Sequence, residues 1–178
     1  MKIAVIDIET NGFHTNFSSI VEIGISLVDT EKGTIKLIYD EVVNDKFTPH
    51  SKWNQTAWIF ENTDLTREDV ASAVKLKDQK ADIQKIFDQY PVTAFNSSFD
   101  FRFLTARGFV LNPIKCLMKS TAPYIGKKAK VSVIEAYKHL FPEEKNWTEK
   151  HRGGSDSMDE AKILLKLCEL KKKQAVIL

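Results

Sequence analysis

Asp7 and Glu9 are the residues whose types and spacing most directly predict chemistry in this sequence. They follow the apolar stretch from Lys2 to Ile6, which is typical of a strand buried on both faces. Side chains two residues apart on a strand project from one face, so both carboxylates would enter the same partly dry space and repel each other. A divalent cation between them would remove this penalty, because hard cations take oxygen ligands. A protonated or lysine-paired acid couple at a strand end is the alternative interpretation.

Length and composition indicate one globular domain. The chain has 178 residues, enough to bury a core of its own, and its 43% hydrophobic and 28% charged residues are ordinary for such a domain. The formal net charge of +2 permits a nucleic-acid partner without requiring one. Cys116 and Cys168 lie far apart and match no zinc-ligand spacing. Composition therefore leaves function to the motifs.

The early apolar run does not resemble a targeting segment. Asp7 and Glu9 interrupt it, so no signal peptide is expected. No segment approaches the roughly 20 apolar residues that span a bilayer. We therefore expect a cytoplasmic protein with no membrane partner.

Hydrophobic periodicity predicts one mixed α/β domain over residues 1–178. The predicted strands are Lys2–Ile8, Ile20–Asp29, Thr34–Val43 and Val92–Asn96, and the first three should run antiparallel because a turn at residues 30–33 makes a hairpin. The predicted helices are Thr66–Val74, Ala81–Tyr90, Phe99–Arg107, Val131–Phe141 and a last helix from about Ser155 to Lys171. Residues 44–61 are expected to be irregular.

Two later acids could join the first pair. Asp100 ends the stretch Asn96-Ser97-Ser98-Phe99-Asp100, where a core strand gives way to a helix, and ligands gather at such strand ends. It could equally be a first-turn acid that favours the helix dipole. Asp156, at the start of the last helix, has the same ordinary explanation. Asp159 and Glu160 share its first turn and compete with it for any role.

His151 precedes Asp156 in a polar stretch that contains Gly153 and Gly154. The two glycines predict a flexible loop, so a packed core histidine is disfavoured and an exposed, idle histidine is the main alternative. A loop that leads into an acid-bearing helix could instead place a base beside a metal-bound phosphate. Histidine is the side chain whose ordinary pKa suits proton removal near neutral pH.

Together these residues resemble the DEDDh 3′–5′ exonucleases of the ribonuclease H-like fold, a family that includes the proofreading epsilon subunit of bacterial DNA polymerase III. The first family motif is similar to Asp7–Gly12, the second to Asn96–Asp100, and the third to His151 followed five residues later by Asp156. The motifs occur in the family's order, and the resemblance extends from residue 3 to about residue 168. It implies a mixed five-stranded sheet flanked by helices.

The resemblance also implies a role for each matched residue. Two Mg²⁺ or Mn²⁺ ions would be held by the four acids, Asp7, Glu9, Asp100 and Asp156, and His151 would remove a proton from the attacking water. The terminal nucleotide would be contacted by Thr10, Asn11, Gly12, Asn96 and Phe99.

The implied reaction releases nucleoside 5′-monophosphates from 3′ ends of nucleic acid. Single-stranded DNA is expected more than RNA, and the protein could be a DNA polymerase subunit. The alternatives are an RNA-trimming enzyme of the oligoribonuclease type and a non-catalytic nucleic-acid-binding domain of a polymerase assembly.

Overall fold

A mixed sheet in the order β3-β2-β1-β4 lies at the centre of the computed structural model, which describes residues 1–176. Residues 177 and 178 of the predicted domain lie outside the described residues. The strands are β1 Lys2–Thr10, β2 Ile20–Asp29, β3 Thr34–Val42 and β4 Val92–Thr93. β2 pairs antiparallel with both β1 and β3, and β4 pairs parallel with β1. The predicted α/β class and the antiparallel order of the first three strands are confirmed.

The sheet has four strands within residues 1–176, so the implied count of five was wrong. The segment 112–118 occupies the place beside β4 without forming a ladder. The Val92 N–H donates to Asn112 O at 2.9 Å, and the Ile114 N–H donates to Val92 O at 2.8 Å. Pro113 lies opposite Val92 and has no N–H to donate, and a helix begins at Leu117. The segment is therefore too short and too irregular to complete a fifth strand.

Helices cover the sheet. They are α1 Lys52–Gln55, α2 Trp58–Asn62, α3 Arg67–Ser72, α4 Leu76–Gln89, α5 Ser97–Ala106, α6 Leu117–Thr121, a 3₁₀ turn Ala122–Ile125, α7 Val133–Leu140 and α8 Gly153–Val176. The first two lie in the stretch expected to be irregular, and α6 was not predicted. Thr66 and Ser132 form capping boxes that fix the starts of α3 and α7. No helix within residues 1–176 is long and apolar enough to cross a membrane.

The two faces of β1 belong to different apolar cores. Ile3 and Val5 pack with the residues of α7 and α8, whereas Ala4 and Ile6 pack with those of α4 and α5. Because side chains alternate along a strand, Asp7 and Glu9 continue the row that faces α8. The apolar side chains of this row anchor β1 in the core, and the two acids follow at the C-terminal end of the strand.

A close backbone approach places the start of α8 against the sheet. A Cβ built on Gly24 would overlap the Gly153 carbonyl, and a Cβ on Gly153 would lie 2.7 Å from the Gly24 nitrogen. Gly24 is the register partner of Asp7 in the β1–β2 ladder. A buried hydrogen bond of 2.9 Å between the hydroxyls of Ser26 and Ser157 continues the contact. The paired glycines therefore bring the helix that bears the last acid directly beside the strand that bears the first.

Candidate active site

The predicted acids meet in one open cleft of about 370 Å³ between β1, α5 and α8. Six carboxylates stand in or beside it, namely Asp7, Glu9, Asp100, Glu149, Asp156 and Glu160. Among the described residues, those that line the cleft include neither lysine nor arginine. The site therefore concentrates negative charge without a lysine or arginine in its lining to balance it.

Asp7 shows most directly that the cleft holds acids without a compensating positive charge. Its Oδ2 is buried and has no hydrogen-bond partner among the described residues. Burial raises the pKa of Asp7 well above its ordinary value, and the neighbouring Glu160 and Glu9 raise it further. A carboxylate in this position is destabilised when it is ionised, unless a positive charge lies beside it.

Asp100 joins α5 to the first strand. It is 5% exposed, and its Oδ1 accepts a hydrogen bond from the Ile8 N–H at 3.3 Å. Burial raises its pKa to about 7. The first-turn position is the one expected from sequence, but the side chain contacts β1 and lines the cleft.

Asp156 closes a tight turn at the start of α8. Its carboxylate accepts the Lys150 N–H at 3.2 Å and the Arg152 N–H at 3.3 Å. It is buried, and this burial raises its pKa despite those two bonds. Glu9 faces it from β1, and burial followed by repulsion from Asp156 raises the pKa of Glu9 to about 8.

His151 is held in the cleft rather than on a flexible loop. Its backbone is left-handed, with a φ of 53°, and its ring lies edge-on to Trp58 with centroids 4.8 Å apart. Its Nδ1 lies 3.9 Å from Glu149 Oε1. Gly153 and Gly154, which were expected to loosen this segment, are instead the first residues of α8. A non-glycine residue in the left-handed region persists only where its surroundings fix it.

Arg152 fixes the other side of this turn. Its guanidinium donates to both carboxylate oxygens of Glu22, from Nε at 2.9 Å and from Nη2 at 3.1 Å, and to Asp64 at 2.7 Å. Glu22 is buried on β2. Because the fork joins the turn to the sheet and to the segment before α3, it restrains the residue that follows His151.

The donor set fits a divalent cation. Carboxylate oxygens of Glu9 and Asp156 lie within 4.8 Å of each other and of a ring nitrogen of His151. Asp7 adds the unpartnered oxygen, and carboxylate oxygens are the donors that Mg²⁺ and Mn²⁺ prefer. A bound cation would stabilise the ionised acids that burial and mutual repulsion otherwise disfavour.

The sequence leaves the role of one acid of the cleft, Glu160, undecided and gives no sign of another, Glu149. Glu160 is buried, and its Oε2 accepts the Phe95 N–H at 2.9 Å, whereas Asp159 turns away to bond Trp147 Nε1 at 2.7 Å. The spacing of four residues from Asp156 places Glu160 on the same helix face and could have identified it. Glu149 carried no such signal.

A second cavity, of about 600 Å³ and mostly apolar, adjoins the acid cleft. Its lining residues include four predicted substrate contacts, Thr10, Asn11, Gly12 and Phe99, together with Phe13 and Trp58. The fifth predicted contact, Asn96, lines the acid cleft instead, and Phe99 is common to both cavities.

The polar side chains of the turn after β1 are already engaged. The Thr10 hydroxyl donates to Gly12 O at 2.7 Å. The Asn11 amide donates to Asn54, and its oxygen accepts the Ser19 N–H at 2.6 Å. These bonds fix the turn, so the cavity presents backbone and apolar surface rather than free side-chain amides or hydroxyls from these two residues.

Solved structures of exonucleases share this fold. A full-length 3′-exonuclease aligns with a TM-score of 0.70 and 15% identity over 96% of this chain and 61% of that chain. The nuclease domain of 3′hExo, a DEDDh family member bound to rAMP, aligns with a TM-score of 0.68 and 17% identity over 94% and 92%. Exonuclease I of E. coli in complex with a dA16 oligonucleotide aligns with a TM-score of 0.67 and 16% identity over 95% and 41%.

These likenesses show the fold, which is the predicted ribonuclease H-like fold of 3′-exonucleases. No family model matches the chain, and no curated protein matches it. The chain spans about three fifths of the full-length 3′-exonuclease and most of the isolated nuclease domain. In 3′hExo, the matched region is therefore most of the nuclease domain.

Proposed function

We propose that this protein is a metal-dependent 3′–5′ exonuclease of the DEDDh family that releases nucleoside 5′-monophosphates from single-stranded DNA. The observation that carries the proposal is the convergence of four acids from three elements around His151. The shared fold supports it, because the similar structures are exonucleases.

Asp7, Glu9, Asp100 and Asp156 would hold two Mg²⁺ or Mn²⁺ ions. Bound divalent cations would acidify a water molecule and neutralise charge on the scissile phosphate. The protein's own contribution is to hold the four carboxylates in place before substrate arrives. The bond from the Ile8 N–H fixes Asp100, and the turn at residues 150–152 fixes Asp156.

His151 would accept the proton of the attacking water. Glu149, 3.9 Å from its Nδ1, would stabilise the protonated ring, and the edge-on contact with Trp58 would restrain the ring's orientation. This division of labour is the usual one for a base that is oriented by a neighbouring carboxylate.

The apolar cavity beside the acids would receive the terminal nucleotide. Phe99 and Trp58 offer aromatic surface for the base, and stacking tolerates every base. Since the Thr10 and Asn11 side chains are engaged in the turn, the segment 10–12 would contact the nucleotide through its backbone. We therefore expect little preference for the identity of the terminal base.

RNA trimming is the second candidate function. One similar structure contains dA16, and another contains rAMP, so the fold accommodates both sugars. A non-catalytic binding domain is less well supported, because such a domain gains nothing from clustering unbalanced acids.

We further propose that residues 1–178 form a single exonuclease domain. Association with a DNA polymerase stays a prediction.

The test compares 5′-labelled DNA and RNA of one sequence, with Mg²⁺ or Mn²⁺, beside circular single-stranded DNA. We expect the linear DNA to shorten from its 3′ end one nucleotide at a time, while the circle stays intact. Asp100→Asn should remove turnover, and the exposed Glu143→Gln should retain it. Nicking of the circle, or normal turnover by Asp100→Asn, would contradict the proposal.

A further inference from the structure

A third cavity, of about 500 Å³, shares no lining residue with the acid cleft or the apolar pocket. The segment 15–19, the start of α4 and the end of α5 form its walls. We call it the basic groove, because its charged lining residues are Lys46, Lys77, Lys80, Arg107 and a single acid, Asp45.

The charge of the basic groove is unbalanced. Asp45 is buried, bonded to Arg107 at 2.7 Å and to the Ile20 N–H at 3.2 Å, so its charge is already offset. Within the described residues, none of the three lysines lies within salt-bridge distance of an acid. Lys46 and Lys77 are exposed, and the half-buried Lys80 places its Nζ 5.6 Å from the centre of the Phe109 ring, so three cations lack an acidic partner in a protein whose formal net charge is only +2.

Helix α4 adds partial positive charge to the same place. It begins at Leu76, which lines the basic groove, and its N-cap residue, Lys75, makes no side-chain capping bond. The N-terminal end of a 14-residue helix carries partial positive charge. The three lysines therefore carry the preference for an anion, and the helix end adds less to it, because Asp78 lies in the first turn of α4.

Helix α5 links the basic groove to the active site. Asp100, near its start, lies in the acid cleft, and Ala106, at its end, lines the groove. Six residues of helix separate the two by about 9 Å along the axis. The surface segment 13–19 is held against this helix by two arginines. Arg102 donates to the Phe13 carbonyl oxygen at 3.0 Å, and Arg107 donates to that of Thr15 at 2.6 Å.

That segment presents two aromatic rings to solvent. Phe13, in the apolar pocket, is 76% exposed, and Phe17, in the basic groove, is 80% exposed. Two aromatic rings this exposed on one fixed segment offer apolar surface to a ligand. Aromatic rings beside a basic track are the arrangement that single-stranded nucleic acid recognises.

We propose that the basic groove binds the strand upstream of the scissile nucleotide. The strand would leave the active site over the segment 13–19, stack a base on Phe17 and place successive phosphates beside Lys46, Lys77 and Lys80. This inference rests on the proposed exonuclease function and extends it by defining how the enzyme holds a substrate longer than its terminal nucleotides.

The test uses a variant that removes the groove's three charges, K46Q/K77Q/K80Q, and a matched control that removes three others. The control, K36Q/K138Q/K145Q, changes exposed lysines that line neither the groove nor the two site cavities. Binding of a 5′-fluorescent single strand of about 12 nucleotides is followed by anisotropy in EDTA, where hydrolysis is stopped. Turnover is measured separately on the same strand and on a dinucleotide.

We expect the groove variant to bind the strand about tenfold more weakly at low salt and to lose about 2 from the slope of log K against log[salt], since three phosphate contacts contribute about 0.7 each. Dinucleotide turnover should equal that of the wild type. Phe17→Ala should weaken single-strand binding about fivefold or more and leave duplex binding unchanged.

Equal binding by the groove variant and the wild type, or equal losses in both triple variants, would overturn the inference. Failure of the wild type to hydrolyse either substrate would overturn the proposed function instead, while the binding result would still decide whether the groove holds nucleic acid.

Discussion

Asp100→Asn should stabilise the metal-free protein at alkaline pH, although it removes a proposed metal ligand. Burial raises the pKa of Asp100 from 3.8 to about 7, so the folded state retains a proton that the unfolded state has lost. Stability then falls as the pH rises, beginning near the unfolded pKa and ending at the folded pKa. The Asn side chain keeps an oxygen that can accept the Ile8 N–H.

The size of the effect follows from the pKa difference. One pKa unit corresponds to about 1.4 kcal/mol, so ionised Asp100 costs the folded state about 4 kcal/mol above pH 7. For a chain of this length that difference corresponds to roughly 10 °C in melting temperature. Glu9, with a pKa of about 8, extends the loss of wild-type stability to higher pH.

Thermal unfolding in EDTA between about pH 4 and pH 8 measures this pH dependence of stability. We expect the wild type to lose stability across this range and Asp100→Asn to lose less, so that the variant melts higher at pH 8. Added Mn²⁺ should stabilise the wild type more than the variant. The reasoning would be refuted if wild-type stability in EDTA did not fall with pH, or if Asp100→Asn were less stable than the wild type throughout.

Asp29 provides a control of opposite sign. The N–H groups of Lys32 and Glu31 lower its pKa, so its ionised form stabilises the folded state. This contribution is present above the unfolded pKa and is lost as the pH falls through the folded pKa. Asp29→Asn should therefore destabilise the protein near neutral pH, and its difference from the wild type should shrink in acid.

Three further perturbations test the site and its support. His151→Ala should lower turnover by about 10²–10⁴ and leave Mn²⁺ binding nearly unchanged, whereas Asp7→Asn should lose both; calorimetric titration and single-turnover kinetics separate the two, and normal turnover in His151→Ala would show an idle histidine. Gly24→Ala should destabilise the protein by about 3 kcal/mol or more, because the new methyl group meets the start of α8, while Gly33→Ala, which meets no atom within 4 Å, should cost only about 1 kcal/mol of backbone strain in urea unfolding. Arg152→Ala should cost about 3–5 kcal/mol, since it leaves a buried carboxylate of β2 unpaired, and a cost below about 1 kcal/mol would show that this ion pair is dispensable.

Local periodicity explains why much of this arrangement could be predicted from the sequence. Alternation along β1 fixed the common face of Asp7 and Glu9, and the change from strand to helix after β4 located Asp100. Periodicity also predicts helices close to the starts of α3 and α7, which capping boxes at Thr66 and Ser132 fix. Each of these inferences depends on residues close together in the chain.

The remainder depends on distances between elements. The Gly24–Gly153 approach joins residues far apart in sequence, so local composition alone predicts a flexible loop at Gly153 and Gly154, where α8 in fact begins. The predicted fifth strand does not form because Pro113 lies opposite Val92 of β4. This pairing is visible only in the fold. Glu160 became part of the cleft through the same packing of α8, and its hydrogen bond to Phe95 could not be read from helix spacing alone.

Chelation followed by restoration of hydrolysis tests the central claim most directly. Single-turnover digestion of 5′-labelled single-stranded DNA is measured with the wild type in excess EDTA and again after Mg²⁺ or Mn²⁺ is added in excess over the chelator. If the clustered carboxylates act through divalent cations, hydrolysis from the 3′ end should stop in EDTA and return with the metal, and Asp7→Asn should not be restored. Full activity of the wild type in EDTA would contradict the account.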